Sequence, residues 1–264
     1  MYEAMNSNQT GTRRPLKGHV AIVTGSGRNI GQAIALALAA HGADVVINGR
    51  SSEAALDAVV DEARSLGANA MTYVADVRDP AAVAGMVKAA ADKFGKVDIA
   101  VSNVSIRMHR PLLETTDDDW NAVLATNLSS AFYLARACLP FMLSGRWGRI
   151  INISGRDGFF PAPARVANVA SKGGSHALTK AIAVEFGRHG VTANTVAPGI
   201  VDTARDLANY PDAARLFEAR LQATAVGRWG TVDDIAAACL YLCLPSGDFV
   251  TGQVLHVSGG EFMQ

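Results

Sequence analysis

Residues 19–41 set an apolar, β-branched run, HVAIVT, directly before the turn Gly25-Ser26-Gly27-Arg28-Asn29-Ile30-Gly31 and a helically spaced apolar stretch, Ile30–His41. A strand that feeds a helix through so short a turn leaves few folds open. The corner must be taken by residues that tolerate a left-handed backbone. The helix that opens there aims its unpaired N–H groups, and the positive end of its dipole, out of the turn toward an anion.

The same alternation continues down the chain. Asp44–Asn48, Asn69–Val74, Ile99–Asn103, Arg149–Ser154, Val191–Ala197 and Val254–Val257 read as further strands. Glu53–Leu66, Pro80–Phe94, Asp117–Leu143, Ala164–His189 and Val232–Cys243 carry apolar residues at helical spacing. Pro140 is expected to kink or end the Asp117–Leu143 helix. Nearly continuous apolar strands alternating with helices predict a parallel sheet covered on both faces. Right-handed crossovers then give an α/β fold: a doubly wound parallel sheet of the Rossmann type, about seven strands with helices on both faces, and a site at the carboxyl edge. One domain is expected over residues 18–264, preceded by a disordered tail at 1–17.

The chain has 264 residues, 49% of them hydrophobic, enough to bury a full core. Lysine plus arginine and aspartate plus glutamate are balanced at 24 each, without charged blocks, so neither nucleic acid nor an anionic membrane is an expected partner. Cys138, Cys239 and Cys243 lack metal-ligand spacing and read as core packing in a reducing compartment; no metal is expected. The polar N-terminus does not resemble a signal peptide. The apolar run Ala33–Ala40 is far short of the ~20 residues of a membrane span. A soluble, cytoplasmic protein acting on a small molecule is expected.

Four further segments stand where strands end: Asp76 in ADV, Asn103 in SNVS, Lys172, and Pro198-Gly199-Ile200-Val201-Asp202-Thr203. With the glycine turn they make the chain resemble the short-chain dehydrogenase/reductase family over essentially all of residues 18–264. The resemblance implies a dinucleotide held by Gly25, Arg28, Asn29, Ile30 and Gly31, with Asn29 replacing the middle glycine of the family turn. It places Asp76 and Val77 beside the adenine, Asn103 in the family's NAG position, Lys172 on the nicotinamide ribose, and Pro198, Gly199, Ile200 and Thr203 beside the nicotinamide. It also implies a homo-oligomer, tetramer or dimer, built on the two long helices and the C-terminal strand region. Cofactor choice follows from charge. Asn48-Gly49-Arg50-Ser51, after the second strand, offers no carboxylate to repel a 2′-phosphate, whereas Arg50, Ser51 and Arg28 can receive one. NADP(H) is therefore favoured over NAD(H).

The family's catalytic group is Asn–Ser–Tyr–Lys. Asn127 and Lys172 match its asparagine and lysine, but Asn168 stands at the tyrosine position and Gly155 at the serine position. An amide is no proton donor near neutral pH, and glycine has no hydroxyl. Ser154 is one residue early and projects to the opposite face of the strand unless the strand bulges. Tyr133, on the Asn127 helix, faces elsewhere, and Tyr210 could reach the site as part of a lid. Substitutes lie in two loops: Ser105, Arg107, His109 and Arg110 in one, Arg156 and Asp157 in the other. His109 or Asp157 could move a proton, and Arg107 or Arg156 could bind a substrate carboxylate or phosphate; solvated surface charge is the competing reading. His176, one helical turn past Lys172, reads as a packed residue. Three functions stay open: an NADP(H)-dependent oxidoreductase for a small carbonyl or alcohol with a non-standard proton-transfer group, a non-redox lyase, isomerase or hydrolase, or a nucleotide-binding pseudoenzyme.

Overall fold

The computed structural model describes residues 14–51, 53–204 and 213–263. Seven strands form one parallel sheet: β1 Val20–Val23, β2 Asp44–Gly49, β3 Ala70–Val74, β4 Ile99–Ser102, β5 Gly148–Ile153, β6 Val191–Pro198 and β7 Val254–Val257. Their order is β3-β2-β1-β4-β5-β6-β7, with every neighbouring pair parallel. The winding reverses between β1 and β4, which opens a crevice at their carboxyl ends.

The pleat explains the unbroken apolar strands. Ala21 and Val23 belong to one buried cluster and Ile22 to the other; Val45 and Ile47 oppose Val46, and Ile99 and Val101 oppose Ala100. The first cluster is completed by helices α1 (Asn29–Ala40), α2 (Glu53–Ser65) and, numbered in chain order, α8 (Val232–Cys243). The second is completed by α3 (Pro80–Phe94), α5 (Ser130–Gly145) and α6 (Val166–Phe186). The short α4 (Asp117–Leu124) packs on α6. Cys138, Cys239 and Cys243 are buried and free, and burial pushes their thiols up, which makes them inert.

Three expectations need correction. The tail does not extend to residue 17. Residues 1–13 lie outside the described residues, but Leu16 is buried in the first cluster, its N–H donates to His41 O (2.9 Å), and Arg14 reaches the Leu66 and Gly67 carbonyls. Pro140 does not end its helix. α5 runs through it to Gly145, because Cys138 and Met142 on either side are fully buried and their packing outweighs one missing N–H bond. The continuous helix expected over 117–143 is instead α4, a five-residue π-type stretch at Ala125–Ser129, and α5. Together Asp117–Gly145 are 29 residues, long and apolar enough by composition to cross a membrane, yet Leu134, Ala135, Cys138 and Met142 are spent on the core beside α3 and the sheet. A further helix, α7 (Ala213–Gln222), is not among the helices expected from the sequence. Tyr210 lies outside the described residues.

Candidate active site

The glycine turn is built as its residues demand. Gly25 and Asn29 both take left-handed backbone angles, with φ of 62° and 51°. A side chain at Gly31 would place its Cβ 2.3 Å from the Gly25 carbonyl oxygen, so the turn closes only over glycine. Asn103, at the end of β4, fixes the turn: its Nδ2 donates to the carbonyls of Thr24 and Gly25, each at 3.1 Å. α1 starts behind Arg28 with no side-chain cap and no acidic residue in its first turn, which leaves its N–H groups for an anion.

At the end of β2, Asn48 is fully buried. Its Oδ1 accepts from Gly25 N (3.3 Å), and its Nδ2 donates to the carbonyls of Tyr73 (3.1 Å) and Ala75 (3.2 Å), which ties three strand ends together. Arg50 and Ser51 follow on the exposed side. Asp76 is held below the ordinary carboxylate range, first by the hydrogen bonds from Arg78, whose Nε stands 3.0 Å from each oxygen. Val77 is buried in the second cluster.

A cavity of about 580 Å³ opens between this turn and the ends of β4, β5 and β6. Lys172, on α6, forms part of its wall, and Nζ donates to the Ile153 carbonyl at 2.9 Å. Burial, reinforced by the Arg107 guanidinium and opposed by Asp157, brings the Lys172 ammonium down to about 7. Asn168, one turn earlier, is committed elsewhere. Its Oδ1 accepts from Met108 N (3.1 Å) and its Nδ2 donates to Ile106 O (3.2 Å). Asn127, inside the π-type stretch, grips the same loop: Oδ1 accepts from Ile106 N (2.8 Å), and Nδ2 donates to Ile106 O (3.0 Å) and Ser171 Oγ (3.2 Å). Two asparagines thus clamp the loop after β4.

Gly155 has extended backbone, and a Cβ there would meet nothing nearer than the Pro198 carbonyl at 4.0 Å. The neighbouring Ser154 points toward α6, as the pleat requires, and its Oγ lies 2.7 Å from His176 Nε2. His176 is stacked on Phe159 with ring centroids 4.6 Å apart, and burial, aided by Lys172, lowers it to about 4. It is neutral at physiological pH, and the Ser154–His176 pair borders the cavity through Ser154.

The outer wall is a chain of ion pairs. Asp157 accepts two hydrogen bonds from Arg165 Nη1 (3.0 and 2.8 Å), and Arg165 Nη2 lies 2.8 Å from His109 Nε2. A guanidinium can only donate, so this His109 nitrogen is the acceptor and carries no proton. Burial and then Arg165 lower the His109 pKa. His109 is therefore a poor acid. On the far side, Glu261 is almost fully buried. It accepts from Arg220 of α7 (2.6 and 2.9 Å) and from Ile200 N (2.9 Å), and Arg156 Nε stands 3.7 Å away.

The cavity thus collects Gly25, Arg28, Asn29, Ile30, Gly31, Asn103, Pro198, Gly199 and Thr203 from the cofactor set, and His109, Ser154, Asp157, Asn168 and Lys172 from the catalytic set. Arg50, Ser51, Asp76, Val77, Ile200 and Asn127 stand outside its lining, with Asn127 acting through the Ile106 backbone. Arg165, Arg220 and Glu261 escaped the sequence reading. Each is an isolated charge in sequence, and the Arg220–Glu261 partnership joins segments that only the fold brings together.

A family profile described as enoyl-(acyl carrier protein) reductase matches residues 25–261. The 3-oxoacyl-[acyl-carrier-protein] reductase FabG of Vibrio cholerae is 38% identical over 94% of this chain and 99% of its own length. The gluconate 5-dehydrogenase of Gluconobacter oxydans is 36% identical over 93% and 95%. Among solved structures, a gluconate 5-dehydrogenase from Burkholderia cenocepacia in complex with NADP and tartrate superposes with a TM-score of 0.87 at 36% identity, covering 95% of this chain and 97% of that one. Sheet order, glycine turn and these relatives agree: the chain belongs to the short-chain dehydrogenase/reductase family.

Proposed function

We propose that this oxidoreductase is NADP(H)-dependent, acts on a small carbonyl or alcohol compound, and uses Lys172 in place of the family's tyrosine to move the proton. The carrying observation is the buried Lys172 ammonium at the cavity wall, brought down to about 7. A group with that value is half protonated near neutrality and can both give and take a proton. Asn168 cannot substitute, since both ends of its amide are already bonded to the loop backbone.

The cradle fits a dinucleotide: its turn closes tightly because position 31 is glycine, and the uncapped start of α1 faces it. NADP(H) there would be held by the Gly25–Gly31 turn, Arg28, Arg50 and Ser51, and would supply or accept the hydride. Support for the phosphorylated nucleotide comes from the carboxylate-free end of β2 and from the Burkholderia cenocepacia gluconate 5-dehydrogenase solved with NADP. Ser154 orients the substrate oxygen. When neutral His176 donates from Nε2 to Ser154 Oγ, the serine hydroxyl is released to donate to a carbonyl, and the other tautomer leaves it as an acceptor for an alcohol.

The test is NADPH and NADH binding by nucleotide fluorescence, followed by hydride transfer across a panel of carbonyl compounds. Reduction rates should fall about tenfold per pH unit above 7 as Lys172 loses its proton. Neither binding nor turnover would end the reading. Turnover that depends on His109 or Asp157 without any change in cofactor absorbance would indicate lyase, isomerase or hydrolase chemistry, and tight binding without turnover a pseudoenzyme. The buried free cysteines support a cytoplasmic setting. Exposed Phe132 and Val184, on α5 and α6, support assembly as a tetramer or dimer, to be checked by sedimentation.

A further inference from the structure

Behind the cavity wall, the stretch after β7 carries a carboxylate on which three wall segments converge. Phe262 seats that stretch. It is 3% exposed and lies against the rings of Phe159 (5.9 Å) and His256 (5.2 Å), while Glu261 N donates to Ser258 O (3.1 Å). The Glu261 side chain, 2% exposed, accepts from Arg220 Nε and Nη2 of α7 (2.6 and 2.9 Å) and from Ile200 N at the exit of β6 (2.9 Å). Arg156 Nε, from the loop after β5, completes the cluster as an ion pair at 3.7 Å. Glu261 does not itself line the cavity, whereas Arg156, Gly199 and, on α7, Leu216, Phe217 and Arg220 do. α7 needs such a tether. Of its described side chains only Phe217 is buried, and it meets Trp229 edge-on at 5.5 Å.

We propose that Glu261 is a positioning residue for the substrate: its carboxylate fixes α7 against the exit of β6 and so sets how readily the cavity accepts substrate. The inference rests on the oxidoreductase reading above and names a residue that governs the same site from outside it. A planar guanidinium forked onto both oxygens fixes orientation as well as distance, which an apolar contact would not. The bond from Ile200 N to the same carboxylate gives helix and strand end a common anchor. An amide has one accepting oxygen in place of two, so Glu261→Gln cannot keep the fork. With the tether weakened, α7 spends part of its time unseated, and substrate affinity falls in proportion to the fraction seated. Bound substrate seats the helix again. Lys172 on α6 and Ser154 after β5 are not tethered by Glu261, so the chemical step keeps its rate.

Two measurements test this. Hydrogen exchange, read by mass spectrometry, compares the wild type with Glu261→Gln, Arg220→Gln, the double variant and Lys88→Gln, which removes an exposed ion pair on α3. Glu261→Gln and Arg220→Gln should each raise exchange in Ala213–Gln222 by about 10- to 100-fold and leave α3 at its wild-type rate. The double variant should add nothing to the larger single effect, because both substitutions break one pair. Lys88→Gln should leave α7 unchanged. In NADPH-dependent reduction of the carbonyl compound that the wild type turns over fastest, Glu261→Gln should raise KM by a similar factor with kcat unchanged. The proposal is overturned if α7 exchange does not rise, if it rises equally in α3, if the double variant is additive, or if kcat falls while KM holds. Protein that binds NADPH but reduces nothing would instead strike the oxidoreductase reading, and exchange in α7 would still decide whether Glu261 seats that helix.

Discussion

Replacing Lys172 with methionine removes one ammonium while keeping a side chain of similar length, and the pH dependence of the loss can be worked out in advance. In the unfolded chain a lysine keeps its proton to about pH 10.4. In the folded protein, burial first and Arg107 second bring Lys172 to about 7. Between those values the unfolded chain binds a proton that the folded chain does not, so raising the pH through this window stabilises the fold, by ~1.4 kcal/mol per unit. Below pH 7 both states are protonated, and above the upper limit neither is, so the gain is confined to the window. From pH 7.5 to 9.5 the wild type should therefore gain about 2–3 kcal/mol relative to Lys172→Met. Every other titrating group is common to both proteins and cancels in the difference. The lost hydrogen bond to Ile153 O adds an offset that does not vary with pH. Denaturant unfolding of cofactor-free protein at one fixed protein concentration measures the two profiles. Parallel profiles would refute a lysine that is proton-poor at neutrality, and with it the proton-transfer role assigned to Lys172.

Three other variants have outcomes that follow from the geometry. Gly155→Ser with Asn168→Tyr should raise carbonyl reduction by about 10²–10⁴-fold, because a hydroxyl at 155 meets no obstruction and the tyrosine restores an acid beside Lys172; unchanged rates with NADPH still bound would point to another chemistry. The same double variant should lose about 1–3 kcal/mol of stability, since Met108 N and Ile106 O give up their Asn168 partner, and thermal unfolding would reveal it. Arg50→Asp should weaken NADPH by about tenfold and leave NADH little changed; an unaltered preference in competitive binding would remove Arg50 from the 2′-phosphate site. Gly31→Ala should cost about 1–3 kcal/mol by forcing a Cβ against the Gly25 carbonyl, partly offset by alanine's better helix propensity, and nucleotide fluorescence should show NADPH binding lost even where the fold survives.

Strand and helix positions were legible because central strands such as β1 and β4 are buried on both faces and so read as unbroken apolar runs. β7 (Val254–Val257), α3 and α8 end where their patterns end. The glycine turn was legible for a related reason, since its demands are local and Asn29 declares them in sequence. What lay hidden depends on distant partners. α7 gains its place through Phe217 packed edge-on to Trp229 and Arg220 on Glu261, partners that lie outside the helix. His109 looked like a proton carrier until Arg165 was seen to occupy its Nε2. Asn168 looked like a vacancy in the chemistry, whereas the fold uses both ends of its amide to brace a loop. Pro140 does not end α5, because helix-breaking is a local cost and the fully buried neighbours that override it belong to the tertiary structure.

Asn29 carries one more implication. Its backbone closes the glycine turn, and its side chain clasps Ala204 in both directions, Nδ2 to the carbonyl (3.3 Å) and Oδ1 from the N–H (3.1 Å). The glycine corner and the stretch leaving β6 are therefore joined by a single amide. Nucleotide that steadies the first should steady the second as well. Asn29→Gly would keep the left-handed corner and cut the clasp, leaving the two segments to move independently. One side chain that also lines the cavity therefore couples the two segments.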